Sequence, residues 1–146
     1  MTNTMPPKLL HGRAVSEVFQ DFMEPLLIEW RDMRPRPSLK RLNEMLRTPW
    51  CIWNAVVFHD FYPNADKHRL LDDLRRRILQ GPEPGAIAMI DVFIERKRSL
   101  FGQFRYLFGE FEFYKAKDGE IRCRAMASLP NSVVEKYGRD GAGLTV

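Results

Sequence analysis

Between residues 14 and 101 the apolar positions of the chain fall three and four apart; beyond 101 they fall two apart. The first spacing belongs to one face of a helix, the second to one face of a strand. The clearest helical run is Val15, Val18, Phe19, Phe22, Met23, Leu26, Leu27 and Trp30, with Glu17, Asp21 and Glu24 opposite. Pro25 removes a backbone donor inside this run, yet the stripe stays in phase past it. The pattern predicts one kinked helix over about 14–31, bent with Pro25 on its outer side.

Pro35 and Pro37 then force an extended connector. Ser38 is placed to cap a short helix carrying Leu39, Leu42, Met45 and Leu46 on one side. Thr48 and Pro49 read as a second start, a capping hydroxyl followed by proline at the first helical position. Residues 50–58 are apolar nearly all round, as in a helix covered on every side. A buried central helix over 49–60 is therefore expected, with Asn54 needing partners for its amide. Asn64 or Asp66 opens the next helix, striped by Leu70, Leu71, Leu74, Ile78 and Leu79 and ended by Gly81 and Pro82. Pro84 begins another, with Ile87, Ile90, Phe93, Ile94, Leu100 and Phe101 inward. That makes about five helices.

The alternating part follows. Phe104, Tyr106 and Phe108 share one phase; Phe111 and Phe113 share the other. One extra residue at Gly109–Glu110, a β-bulge that glycine tolerates, would bring both sets to one side. A second strand over 120–127 carries Ile121, Cys123 and Ala125 on one face. A two-residue Asp118-Gly119 loop would set Phe113 against Arg124 and mix the faces. A three-residue loop over 117–119, with Gly119 left-handed, sets Phe113 against Cys123, Phe111 against Ala125 and Glu112 against Arg124. The second register sorts apolar from charged, so it is the one expected. Residues 131–137 read as one terminal turn and 138–146 as a flexible tail.

This alternation of a helical body with a C-terminal antiparallel β-hairpin is α+β, and 1–137 reads as a single globular domain. A length of 146 residues suits one domain, and 45% hydrophobic with 29% charged residues is globular composition. The segment MTNTMPPKLLHGR lacks the apolar stretch and small-residue site of a secretory signal. The most apolar run spans about ten residues, too few to cross a bilayer. Two cysteines without a CxxC pair read as small buried hydrophobes in a reducing cytoplasm.

Catalytic constellations do not emerge. His11, His59 and His68 include no i, i+4 pair, and His59-Asp60 lacks the further ligands that metal hydrolysis requires. No serine sits in a G-x-S-x-G elbow. Cys51 stands near a helix start but between Trp50 and Trp53, so it reads as core. The glycine-rich run over 138–143 has no strand–helix unit around it to make a phosphate loop. Glu17, Asp21 and Glu24 have no matching Glu-x-x-His, so they read as a solvated face.

Basic clusters remain. Arg31, Arg34, Arg36, Lys40 and Arg41 surround the proline connector. Arg75, Arg76 and Arg77 close one helix; Arg96, Lys97 and Arg98 lie late in the next. Cations near helix C-termini are favoured without any ligand. If Arg75, Arg76, Arg96 and Arg98 met on neighbouring helices they would bind anions or nucleic acid. Helix geometry opposes this, because an antiparallel pair puts 75–77 near residue 87, more than a turn from 96–98. The sequence thus reads as a small cytoplasmic, non-catalytic protein-interaction or regulatory module with another protein as partner. Nucleic-acid binding through the basic helix faces is the alternative. No cofactor, no metal and no membrane enter this reading.

Overall fold

The computed structural model describes residues 14–63, 67, 69–80 and 84–129, with only the backbone of 78, 79 and 84–87. Its elements are α1 (Val15–Asp32), α2 (Leu39–Met45), α3 (Arg47–Phe61), α4 (Leu70–Leu79), α5 (Pro84–Leu100), β1 (Leu107–Lys115) and β2 (Ile121–Ser128). The class is α+β, with one antiparallel hairpin after the helices. Leu46 alone separates α2 from α3, so the helices among the described residues are the five expected, or four with those two counted as one. The expected terminal turn over 131–137, the tail over 138–146 and the caps at Asn64, Asp66 and Gly81–Pro82 lie outside the described residues.

The chain divides into two compact units. Among the described residues, the first joins 14–48 with Phe108–Ser128. Here α1 forms as its stripe requires: Val15, Val18, Phe19, Phe22, Met23, Leu27 and Trp30 are buried. The helix runs through Pro25, which is half-buried rather than on the outer side, as is Leu26. α1 packs on the hairpin. The Phe19 ring lies 4.8 Å from Phe108, 4.6 Å from Phe111 and 6.3 Å from Phe113. Phe108 and Phe111 are three apart, an odd number, yet reach one ring, so the strand's alternation slips between them. β1 has nine residues against eight in β2. A Cβ on Gly109 would sit 3.6 Å from the Met126 carbonyl oxygen. One surplus residue at Gly109–Glu110 opposite Met126 accounts for all three observations. Gly109 does not need to be glycine for this, because its φ is not positive and a Cβ would make ordinary contacts.

The hairpin turn takes the three-residue form. Ala116 N–H donates to the Glu120 carbonyl at 2.8 Å, Gly119 N–H donates to the Ala116 carbonyl at 2.9 Å, and Gly119 has φ 86°. The ladder that follows sets Phe113 against Cys123 and Glu112 against Arg124, and those two charged side chains pair. Two helical side chains finish the sheet edges. Asn43 donates to the Phe113 carbonyl at 3.0 Å and accepts its N–H at 2.8 Å. Ser16 Oγ accepts the Ala125 N–H at 3.0 Å.

The second unit holds the described residues of 49–107 together with Leu129. Ile52, Trp53, Ala55, Val56, Val57 and Phe58 of α3 are buried, while Trp50, Cys51 and Asn54 are half-buried, so the helix is not covered all round. Thr48 is not the cap expected for it. The helix already begins at Arg47, directly after the α2 terminus, and Pro49 is its third residue. Proline is tolerated there because first-turn N–H groups have no helical partner. Trp53 is fully buried; its indole N–H donates to the Tyr106 carbonyl at 2.9 Å. The rings of Phe101, Phe104 and Tyr106 stand 5.5–6.4 Å from one another or from Trp53. Phe104 and Tyr106 precede the strand, which starts only at Leu107. On α5, Ile90, Phe93, Ile94 and Phe101 are inward as expected, but Leu100 is 59% exposed. The inward slot that it was expected to share belongs to Lys97, which is four residues after Phe93 and seven after Ile90.

Candidate functional site

The four arginines singled out in the sequence are each engaged locally. Arg75 on α4 meets Asp91 on α5 at 3.7 Å. Arg76 meets Asp73 on its own helix at 3.3 Å. Arg96 lies 5.6 Å from the centroid of the Phe101 ring. Arg98 binds Asp60 with two nitrogens, at 2.8 and 2.9 Å. Arg75 thus lies beside residue 91, and Arg96 lies five residues further along α5, a rise of about 7.5 Å. The α4–α5 pair joins Arg75 to an acid rather than to Arg96 or Arg98.

Asp60 also takes the His59 ring Nδ1 at 2.8 Å. Burial pushes its carboxyl up, but the hydrogen bonds and charges of Arg98 and His59 outweigh that and hold it below the usual range. Lys97 behind this pair is 1% exposed. Its ammonium donates to the carbonyls of Phe101 at 2.8 Å and Phe104 at 2.9 Å and lies 4.5 Å from the Trp53 ring centroid. Burial lowers it to about 8. With two of its three N–H donors spent on the turn that ends α5, Lys97 is a structural pin. Its place on the inward stripe was readable from its phase with Ile90 and Phe93; the charge triplet around it drew the reading outward instead.

The Cys123 thiol lacks the surroundings of a nucleophile. Cys51 and Cys123 form no disulfide and are half-buried rather than fully buried. Desolvation pushes Cys123 up to about 12. Among the described residues no three His, Cys, Asp or Glu side chains group as a metal site. No described helix is long and apolar enough to cross a membrane.

The first unit has a groove of about 290 Å³ where the end of α1, the connector to α2 and the hairpin turn converge. Leu27, Leu42 and Phe113 form its floor and are buried. Trp30, Arg31 and Arg36 line one wall, and Glu120 and Ile121 line the other. Each wall is built by local chemistry. The Trp30 indole N–H donates to the Pro37 carbonyl at 2.9 Å, tying the connector back on the helix. Arg34 and Arg36 donate to the Arg31 carbonyl, one of the carbonyls left unpaired at the end of α1. The Arg36 guanidinium lies 5.2 Å from the Trp30 ring centroid. Ile121 is 41% exposed at the rim. The sequence had marked the connector arginines as a cluster, but nothing in it brings residues 27–42 to residues 113–121.

No protein-family model, no curated protein and no solved structure matches this chain.

Proposed function

We propose that this protein is a small non-catalytic interaction module of the cytoplasm, and that the groove beside Trp30 is where a segment of its protein partner docks. The observation that carries the reading is the construction of that groove: a floor closed by buried apolar side chains, a fixed indole and guanidinium on one wall, and an exposed isoleucine on the other as the apolar seat. Peptide-binding surfaces combine an apolar seat with a few fixed polar groups in this way. Aromatic and arginine side chains are the residue types that most often anchor such contacts. Half-buried cysteines outside any disulfide suit a reducing compartment.

The test is selection of displayed random linear peptides on the full chain, repeated with Ile121→Asp. Peptides that dock in the groove bind wild type and bind the variant at least about tenfold more weakly. Peptides that bind both alike, or no enrichment at all, would overturn the reading.

A further inference from the structure

The two walls of the groove differ in charge. On the connector side, residues 31–41 carry four arginines and a lysine against the single Asp32. Some of that charge is already used: Arg31 meets Glu24 at 3.2 Å and Arg41 meets Glu44 at 3.5 Å. Arg34 and Arg36 are different. Among the described residues neither has a carboxylate partner, and both donate to backbone carbonyls. A guanidinium has five N–H groups, and Arg36 spends few of them. It is also placed: the carbonyl of Arg31 and the ring of Trp30 fix its position at the groove wall. On the far wall stands Glu120, next to an Asp118 already paired with Arg122.

Resting on the interaction reading above, we infer that the partner segment is acidic, with a carboxylate seated on Arg36 and an adjacent apolar side chain against the exposed Ile121. A planar carboxylate is the acceptor that matches a fixed guanidinium fork. A basic side chain in that position would face the Arg36 guanidinium, which has no carboxylate partner among the described residues. An acid turned to the opposite wall would meet Glu120, so the groove also sets the direction in which the charge must lie.

The same display selection tests this. Peptides enriched by wild type carry Asp or Glu next to an apolar residue, and their binding weakens as sodium chloride is raised. A synthetic peptide of that set binds Arg36→Glu at least about tenfold more weakly. Selection on Arg36→Glu enriches Lys or Arg at the same position, which shows that the variant still folds and presents the groove. Arg36→Lys, which keeps the charge and loses the fork, falls between the two. Enriched peptides with no acidic preference, or equal binding by Arg36→Glu, overturn the acidic segment while leaving the groove as a docking site. Failure to enrich any peptide overturns both.

Discussion

The side-chain amide of Asn43 occupies both backbone groups of Phe113, giving its N–H to the carbonyl and taking the amide N–H on its own oxygen. It does for the outer edge of β1 what a third strand would do, and one residue suffices because the helix carrying it lies beside the strand. The Phe113 groups are part-buried. Asn43→Ala should therefore cost about 1–3 kcal/mol, the range for buried backbone groups left without partners. Asn43→Asp keeps the acceptor and loses the donor, so it should also destabilise at neutral pH. Denaturant melts of the three proteins check this; an Ala variant within about 0.5 kcal/mol of wild type would show that water replaces the amide there.

Trp53 should be the costliest single truncation of the second unit. It is fully buried and its N–H is spent on Tyr106. Trp53→Ala should lose about 3–5 kcal/mol. Trp53→Phe keeps much of the ring and leaves the carbonyl without its donor, so its loss should be smaller but clear. A loss below about 1 kcal/mol for the alanine variant would contradict a core position.

Three glycines should respond in different ways. A Cβ on Gly102 would fall 2.6 Å from the Arg98 carbonyl oxygen, a backbone atom that cannot move without opening the turn that Lys97 pins. Gly102→Ala should cost about 1–3 kcal/mol. Gly119 has open space around it but φ 86°. Gly119→Val should cost about 1–2 kcal/mol, more than Gly119→Asn, because asparagine tolerates the left-handed region. Gly109→Ala should change stability by less than about 0.5 kcal/mol, although the glycine sits in the bulge. Thermal melts of the four variants rank them.

How much of this was legible depended on how local each cause was. The α1 stripe is a matter of spacing, and every member except Leu26 is buried. The three-residue turn followed from requiring Phe113, Cys123, Glu112 and Arg124 to sort by polarity. Asn43 and Ser16 carried no such mark. A polar residue on a helix looks the same whether it faces water or a strand seventy or a hundred and nine positions away. The groove was hidden for the same reason, since its walls come from distant parts of the chain. Lys97 was hidden differently: its phase was readable, but two flanking arginines made it look like part of a solvated face.

The pH dependence of stability should reveal Lys97. Burial lowers its ammonium from 10.5 to about 8. In the unfolded chain the amine keeps its proton up to about 10.5, so between these values the unfolded state binds more protons. The native state therefore gains stability as pH rises from about 8 toward 10.5, and loses it as pH falls back through 8. The full excursion is on the order of 3 kcal/mol. Lys97→Met removes this pH dependence. The difference in unfolding free energy between wild type and this variant should grow in favour of wild type across that window, cancelling the tyrosines and cysteines common to both. A difference that stays flat would show that Lys97 keeps an ordinary affinity for its proton.

Two pairs of charge reversals separate the basic surfaces. Arg75→Glu/Arg96→Glu and Arg34→Glu/Arg36→Glu each take the formal net charge from +4 to zero, so any difference between them reflects placement. Arg75 already faces Asp91, and Arg96 lies against Phe101. Arg34 and Arg36 are exposed beside the groove, with their bonds to carbonyls. Retention on heparin at low salt should fall more for the connector pair, because an anion gains most where no carboxylate must first be displaced. Should the α4–α5 pair lose the more, the basic helix faces are the anion-binding surface, and nucleic acid becomes the partner to pursue.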